Sequence, residues 1–413
     1  MNLQSILIPA LLLSFLLPNT TTAQTTISLE AYYTFEGNLN DFTGNTSNTG
    51  LEVGTPTYTC GVRGQGLLLD GANDQVRVLN SSGISREFDT EDFTLSMYFK
   101  PIGVDGTQYL FSKRDTACTG ARQFAVTYFP GAGLVKTFLA QDEDKDVELN
   151  NIISNSGCWQ HLTIVRDDIR VKIYINGEFL SERGTASRVN LETAGDIFIG
   201  GGDCLGGIET PFSGIIDEVR VYSRALTNDE VRGLYFSPDQ ILTNDTIVFL
   251  GTSVDVRLGN TCGESFTWTP AASVMDATDA EPVIDADEVG AFTYTIQIKD
   301  QVAACVATDS FRITVVDPNT LPCKVALATA FTPNLDNLND TYGLSNPFAI
   351  SDLISFEIFD RWGGKVFTTN DPFGQWDGSF QGKKVNPGVY LWRAIYRCGG
   401  EEKNDTGTVT VMR

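Results

Sequence analysis

The sequence predicts an all-β fold, on three observations. Apolar and polar residues alternate at a period of two in many short runs, for example 170–175, which is the pattern of a strand with one buried face. Turn-forming pairs such as Asn176-Gly177 separate these runs at short intervals. Only the segment 227–235 predicts a helix, because Thr227 can cap its first turn and a glutamate follows three positions later.

The chain of 413 residues is too long for a single hydrophobic core, so several domains are expected. Connectors that contain proline lie near residues 237 and 320, where continued regular structure is disfavoured. We predict a signal peptide and three domains, at 1–23, 24–237, 238–320 and 321–413.

The first residues predict an export signal. An apolar run at 6–17 precedes a polar stretch, and cleavage after Ala23 fits the pattern of a signal peptide, although no lysine or arginine precedes the run. The alternative is an N-terminal membrane anchor. Since no later stretch has the roughly 18 apolar residues of a spanning helix, we expect no transmembrane segment after cleavage.

The charge is strongly acidic and uneven. A formal net charge of −23 argues against nucleic acid as a partner, because phosphate binding needs clustered lysine and arginine. Residues 238–322 hold 13 acids and 3 bases, whereas residues 323–413 hold 10 acids and 9 bases. This shift supports separate domains.

Eight cysteines without a C-x-x-C motif predict disulfides in an oxidising compartment. The predicted boundaries place Cys262 with Cys305 in the middle domain and Cys323 with Cys398 in the C-terminal domain, so these pairings are expected. The other four cysteines fall in the first domain, namely Cys60, Cys118, Cys158 and Cys204.

Five pieces of the first domain stand out in order along the chain, at 31–38, 67–76, 93–97, 159–166 and 214–226. In these pieces, residues 28–236 resemble the laminin-G-like, concanavalin-A-like lectin and glucanase superfamily. The resemblance implies a jelly-roll sandwich of two sheets. It also implies a disulfide between Cys118 and Cys204, which leaves Cys60 with Cys158.

The same resemblance implies a calcium ion that arranges loops, since hard cations take oxygen ligands from aspartate and asparagine. The candidate ligands are Asp70, Asn73 and Asp74, joined by Asp217 if the sandwich brings the two segments together. The alternative is that Asp70 belongs to an ordinary turn and Asp217 is a hydrogen-bonding strand residue.

Catalysis is the weaker interpretation of this domain. The nearest match to the paired carboxylates of the glucanases is Asp144, Asp146 and Glu148, within a solvated run of charges. The only histidine, His161, lies in a Trp-x-His stretch where packing is expected for both residues, and no Gly-x-Ser-x-Gly elbow accompanies it. We expect no enzyme activity.

Residues 238–316 resemble the immunoglobulin-like or PKD-like modules of bacterial surface proteins. The resemblance rests on the two cysteines, the stretch around Trp268, and the strand patterns at 292–298 and 311–315. It implies a small sandwich that serves as a spacer, with Trp268 packed beside a disulfide.

Residues 323–413 contain a series of motif positions, namely Phe331, Pro333, Asn334, Asn339, Asp340, Arg361, Trp362, Gly363, Trp376, Asp377, Gly378, Gly388 and Tyr390. In these positions the segment resembles the gliding-motility-associated C-terminal domain, a type B signal for type IX secretion in Bacteroidota. The resemblance implies a small Ig-like β-sandwich that the type IX secretion machinery recognises. Trp362, Trp376 and Trp392 are expected to supply most of its core, with a sugar-binding platform as the alternative.

These resemblances together predict a secreted or cell-surface protein that binds polysaccharide or a surface glycoprotein and acts in adhesion. The alternatives are a glycoside hydrolase of the concanavalin-A-like superfamily and a structural adhesin without catalysis.

Overall fold

The computed structural model describes residues 25–89, 91–153, 158–300, 305–334, 338–398 and 400–412. The predicted signal peptide at 1–23 lies outside these residues. Contacts divide the chain into two compact units, of which the first comprises Met1–Asp239, Asn260–Cys262 and Asp300–Cys305, and the second comprises Gln240–Gly259, Gly263–Lys299 and Val306–Arg413. Across the described ranges, no helix has the length and apolar character to span a membrane.

The first unit is built from short strands that follow the alternating runs of the sequence. They are β1 (Leu29–Tyr33), β2 (Leu51–Val53), β3 (Thr57–Cys60), β4 (Gln65–Asp70), β5 (Gln75–Val78), β6 (Phe93–Pro101), β7 (Thr107–Lys113), β8 (Gln123–Phe129), β9 (Leu134–Ala140), β10 (Asp146–Ile152), β11 (Gln160–Asp167), β12 (Arg170–Ile175), β13 (Glu178–Gly184), β14 (Ile197–Ile199), β15 (Glu209–Pro211) and β16 (Ser213–Tyr222). Short 3-10 helices lie at Thr46–Asn48, Gly83–Phe88 and Pro130–Ala132.

These strands form two eight-stranded sheets. The first has the order β13-β12-β11-β6-β16-β4-β3, with β1 beside β16, and the second has the order β10-β9-β8-β7-β14-β5-β2, with β15 beside β7. One contiguous core contains buried side chains from both sheets, such as Leu95, Ile164, Val126 and Leu139. The expected all-β fold, with a sandwich of two sheets in the first unit, is therefore confirmed.

The outer face of the first sheet is also covered. Helix α1 (Asn228–Gly233) begins at the predicted cap, where Thr227 and Glu230 form a reciprocal capping box. Its Val231 packs with Tyr174 and Tyr222 of the sheet in a separate apolar cluster. Strand β6 is buried on both faces, except at its last residue, and its Tyr98 belongs to another outer cluster with Val62, Trp159 and Ile215.

The disulfides correct two of the expected pairings. Cys118 pairs with Cys204 and Cys323 with Cys398, as expected, but Cys60 pairs with Cys262 and Cys158 with Cys305. The predicted pairs Cys262–Cys305 and Cys60–Cys158 are wrong, because the segments that carry Cys262 and Cys305 belong to the first unit. The predicted boundaries had assigned both cysteines to the middle domain.

The second unit contains two further groups of strands. They are β17 (Thr246–Phe249), β18 (Ser253–Asp255), β19 (Ser265–Thr269), β20 (Val283–Asp285), β21 (Gly290–Lys299), β22 (Val306–Val316), β23 (Ala330–Phe331), β24 (Asp352–Phe359), β25 (Lys365–Thr369), β26 (Ser379–Phe380), β27 (Lys383–Lys384), β28 (Gly388–Cys398) and β29 (Glu401–Val411). Short 3-10 helices lie at Pro318–Thr320 and Pro347–Ala349.

Four sheets result, in the orders β17-β22-β21-β19, β18-β20, β23-β29-β28-β24-β25 and β26-β27. Trp268 on β19 is buried; its indole N–H donates to the carbonyl of Asp279 at 2.9 Å, and its ring meets Phe311 edge-on. The disulfide expected beside Trp268 is absent, since Cys262 bonds to Cys60.

The three C-terminal tryptophans do not share one environment. Trp376 is 1% exposed and belongs to the core, as expected. Trp392 is only partly buried at the edge of that core, and Trp362 is 83% exposed. The prediction that Trp362 contributes to the core is therefore wrong, because it lies at the tip of the turn between β24 and β25.

Candidate functional site

A groove lies at one end of the sandwich of the first unit, where the end of β4, the loop from β6 to β7, and the segment leading into β16 meet. Its volume is about 530 Å³. The residues that line it are Asp70, Gly71, Gly103, Val104, Asp105, Gly106, Gln108, Ile208, Thr210 and Ser213.

The floor of the groove is held by close packing around Ser213. Gly71 has φ +76°, and a Cβ there would lie 2.6 Å from the Cβ of Ser213. A Cβ on Gly103 would lie at the same distance from that atom. The buried Gln108 accepts the Ser213 N–H at 3.2 Å and donates to the Asp105 carbonyl at 3.0 Å. The loops are thus fixed before any ligand arrives.

The upper part of the groove combines carboxylates with apolar side chains. The carboxylates of Asp70 and Asp105 are exposed. The apolar side chains of Val104 and Ile208, at the opening of the groove, are 73% and 75% exposed. Carboxylates accept hydrogen bonds from hydroxyl groups, and apolar side chains pack on C–H faces. Aromatic rings are missing from the described lining, so hydrogen bonding would dominate recognition of a ligand here.

The predicted calcium ligands hold the turn that borders this groove. Asp70 Oδ1 accepts the N–H groups of Ala72, Asn73 and Asp74 at 2.8 to 3.2 Å. Burial raises the pKa of Asp70, but these hydrogen bonds outweigh it and lower the pKa below its ordinary value. Asp74 is buried and accepts the N–H of Thr55 at 2.7 Å.

Asp217 does not join this group. Asp70 pairs with Ser213, and Asp217 lies four residues further along β16, or about 13 Å at the usual rise per strand residue. No cluster of three or more potential metal ligands occurs among the described side chains. The four predicted residues do not fit one cation site, and calcium binding itself stays a prediction.

Asp217 instead belongs to a buried polar network. It accepts the N–H groups of Arg63 and Glu218 at 3.2 and 2.7 Å. Burial and the nearby Glu218 raise the pKa of Asp217 to about 8. Glu218 pairs with Arg220 and accepts the hydroxyl of Tyr32 at 2.7 Å, and the Arg220 guanidinium lies 4.0 Å from the Tyr32 ring centre. These contacts stabilise the sandwich.

Trp159 and His161 are buried, as expected. The His161 ring bonds through Nε2 to the hydroxyl of Ser96 at 2.7 Å and stacks on Tyr98 with ring centres 4.5 Å apart. Complete burial, followed by the charge of Arg220, lowers the pKa of His161 to about 3. A histidine in this setting cannot exchange protons with a ligand in solvent.

The candidate catalytic carboxylates lie elsewhere, near edge strand β10. Asp146 and Glu148 share one strand face, whereas Asp144 lies in the preceding turn. Glu148 pairs with Lys136 at 2.7 Å and accepts a hydrogen bond from Asn150. Both contacts lower the pKa of Glu148, which is the opposite of the raised pKa that a general acid needs.

The C-terminal motif residues are mainly structural. Phe331 packs against Trp376 with ring centres 5.4 Å apart, and Tyr390 meets Trp376 edge-on at the same distance. Pro333 is buried against Gly378, where a Cβ would come within 2.7 Å of the proline ring. These residues pack together in one core that is rich in aromatic side chains.

The polar motif residues close turns. Asp340 accepts the N–H of Asn334 at 2.8 Å, while the carbonyl of Asn339 accepts that of Thr332 at 2.9 Å. Asp377 accepts the N–H of Ser379 at 2.9 Å, next to Gly378 at φ +72°.

Two other motif segments shape the exposed surface of this part of the chain. Arg361, Trp362 and Gly363 form the exposed turn after β24, and Gly388 begins β28.

The sequence did not single out Asp105, Gln108, Ile208 or Thr210 of the groove. Asp105 and Ile208 lie in loops, whereas Gln108 and Thr210 lie on β7 and on the short strand β15, and no motif of the sequence includes any of the four. Only their neighbour Asp70 was found, through the turn signal Asp70-Gly71.

Comparison with known families identifies two segments. Residues 70–232 match the family model described as "Concanavalin A-like lectin/glucanases superfamily". Residues 325–411 match the model described as "CHU_C Type IX secretion signal domain". No curated protein matches the sequence.

Several solved structures are similar in part. Domain 4 of the arabinanase AbnA from Geobacillus stearothermophilus, solved with arabinotriose, is 23% identical with a TM-score of 0.40 over 50% of this chain and 98% of that one. The CBM40 of the Ruminococcus gnavus IT-sialidase is 20% identical with a TM-score of 0.36, over 41% and 95%. The binding domain of Paraclostridial Mosquitocidal Protein 1 is 13% identical with a TM-score of 0.42, over 93% and 91%.

Proposed function

Since this chain carries a concanavalin-A-like domain and a type IX secretion signal domain, which implies export to the cell surface or the medium, we propose that the first unit binds carbohydrate in its groove. The ligand is a polysaccharide or the glycan of a surface glycoprotein. Adhesion to such material outside the cell is the role that follows.

The observation that carries this proposal is the combination of exposed carboxylates and apolar side chains on preformed loops. Asp70 and Asp105 offer acceptors for sugar hydroxyls, and Val104 and Ile208 offer surface for C–H groups. Because Gln108 already ties the loops together, little ordering entropy is lost on binding.

We propose binding without hydrolysis. Glycoside hydrolysis needs two carboxyl groups that face each other, one with a raised pKa. In the groove the pKa of Asp70 is lowered, and so is that of Glu148 on β10. Neither carboxyl is prepared to donate a proton at neutral pH.

The test is glycan-array binding by the full exported chain, repeated with Asp105→Asn and with Thr210→Val. Each variant removes a groove contact without touching the core, and each is expected to weaken binding of the captured glycan at least about tenfold. The matched control is Asp144→Asn, an exposed aspartate on a turn outside the groove, which should bind like the parent. Equal binding by all variants would refute the groove as the site.

Two further arms separate the alternatives. A chelator that abolishes binding would establish the calcium prediction, whereas unchanged binding would exclude calcium from the site. Release of reducing sugar that disappears in Glu148→Gln would establish the hydrolase alternative. Failure to capture any glycan would favour the structural adhesin.

The C-terminal domain indicates the route of export, and we propose that it binds the type IX secretion machinery. A chain that lacks 321–413 should accumulate inside the cell envelope, while the full chain appears outside. Fractionation with antibodies against the first unit measures this, and equal external amounts of both chains would contradict it.

A further inference from the structure

A lysine and an aspartate are buried together in the first unit. Lys100 lies on β6, on the outer face of the first sheet, and is 1% exposed. Its ammonium is in contact with the carboxylate of Asp300, whose side chain is 7% exposed. Asp300 belongs to the segment of the first unit that Cys305 anchors by its disulfide to Cys158.

The surroundings of this pair are largely apolar. The Lys100 ammonium lies 5.5 Å from the centre of the Trp159 ring, and Trp159 is part of a cluster with Val62, Tyr98 and Ile215. Removal from water disfavours both charges, and a proton shared between the two groups relieves that cost.

A third carboxyl group completes the cluster. Asp239 is 6% exposed and interacts electrostatically with both Lys100 and Asp300. Burial raises the pKa of Asp239, and Asp300 adds to the effect, against the opposing hydrogen bond from Thr261 and the charge of Lys100. A third buried carboxyl group, with a raised pKa, therefore lies beside the pair.

We propose that Lys100 and Asp300 become joined by an amide bond between Nζ and Cγ, with Asp239 as the proton shuttle. This intramolecular cross-link goes beyond carbohydrate binding and is independent of it.

The step balances without a co-reactant. The ammonium first passes a proton to the Asp300 carboxylate, which leaves a neutral amine and a neutral acid. The nitrogen lone pair then attacks Cγ, and the bond from Cγ to the hydroxyl oxygen breaks. Asp239 takes a proton from the nitrogen and gives one to the departing hydroxyl, so one water leaves, Asp239 is regenerated, and nothing is oxidised or reduced.

A second lysine–aspartate pair supplies an internal comparison. Lys113 is also 1% exposed, but the side chain of its partner Asp89 is 26% exposed and the two atoms lie 3.3 Å apart. Water therefore reaches Asp89 and stabilises its charge, so we expect an ion pair there and no amide.

The cross-link would have a clear consequence for an exported protein. Its two residues are 200 positions apart, so the bond closes a long loop of the chain. Unlike the disulfides, an amide survives reducing conditions.

The test is peptide mapping of the full exported chain after reduction, alkylation and trypsin digestion. Cleavage after Arg86, Lys113, Lys299 and Arg312 gives peptides 87–113 and 300–312. The expected product is one species with their summed mass less one water. Recovery of both peptides as separate species, with no joined product, would overturn the proposal.

Variants then test the mechanism. Asp239→Asn keeps both reacting residues and is expected to yield separate peptides. Lys113→Arg is the matched control and should keep the joined species, since trypsin still cleaves there. If Asp239→Asn contains the joined peptides at the same abundance as the parent, the role of Asp239 as proton shuttle is refuted. The peptide map of the parent protein tests the amide bond itself, and that test does not depend on whether any variant folds.

Discussion

Replacing Asp217 by asparagine tests how the buried polar network governs the stability of the first unit. Burial and the neighbouring Glu218 raise the pKa of Asp217 from 3.8 to about 8, against the hydrogen bonds from the N–H groups of Arg63, Glu218 and Val62. Glu218 keeps its own partner, Arg220. The folded state therefore holds a proton on Asp217 over a range of pH in which the unfolded chain has lost it.

The sign of the effect follows from proton linkage. A carboxyl group whose pKa is higher in the folded than in the unfolded state stabilises the folded state when it is protonated. This stabilisation is complete below the pKa of Asp217 in the unfolded chain and is lost as the pH rises towards about 8. The folded protein binds about one proton more than the unfolded chain in this window, so the free energy of unfolding falls by up to about 1.4 kcal/mol for each pH unit. Asparagine does not titrate, so Asp217→Asn removes this slope.

The assay is urea unfolding of the parent and Asp217→Asn between about pH 5 and pH 7, followed by circular dichroism. The unfolding transition whose midpoint changes in Asp217→Asn is assigned to the first unit. The unfolding free energy of Asp217→Asn minus that of the parent should increase by roughly 1 kcal/mol for each unit by which the pH is raised.

Asp70→Asn is the matched control, because Asp70 also accepts several backbone hydrogen bonds while its pKa is lowered out of the tested range. Its difference from the parent should not vary with pH. Parallel stability curves for the parent and Asp217→Asn would refute the linkage argument.

Two further predictions concern the disulfides and the tryptophans. In Cys262→Ser, Cys60 should react with a maleimide under non-reducing conditions while Cys305 stays protected, and labelling of Cys305 instead would restore the pairing that the sequence suggested. Trp376→Ala should lower the unfolding free energy of the C-terminal sheet by about 3–5 kcal/mol, whereas Trp362→Ala should change it by less than about 0.5 kcal/mol. Similar losses for the two variants in urea unfolding would contradict the difference in their burial.

The strands and the helix could be predicted because their signals are local. Strand β12 coincides with the alternating run at 170–175, and α1 begins directly after the predicted capping residue Thr227. A turn residue or a cap acts through neighbours within a few positions, so the sequence window contains the whole cause.

The disulfide pairing could not be predicted in the same way. Cys60 and Cys262 are separated by 202 residues, and only the tertiary fold brings them together. Assigning each cysteine to the domain that surrounds it in sequence fails when short loops of a later segment pack with an earlier unit. Nothing local to Cys262 or Cys305 marks these loops.

The groove was missed for a related reason. Its polar residues Asp105 and Thr210 come from a loop and from the three-residue strand β15, which are more than 100 positions apart, and neither segment is long enough to show a periodicity. Trp362 shows the limit of motif recognition, since a motif tryptophan at a turn tip and one in the core, such as Trp376, look alike in sequence.

The buried outer face of the first sheet connects these observations. Ser96, Tyr98 and Lys100 alternate along β6 with residues of the central core and so lie on the outer face of the sheet, yet all three are buried. A buried polar group needs a partner, and a buried charge needs one most of all. Ser96 finds His161, and Lys100 finds Asp300 from a segment 200 positions away. Recruitment of that distant segment into the first unit supplies the charge that a lysine on this face requires.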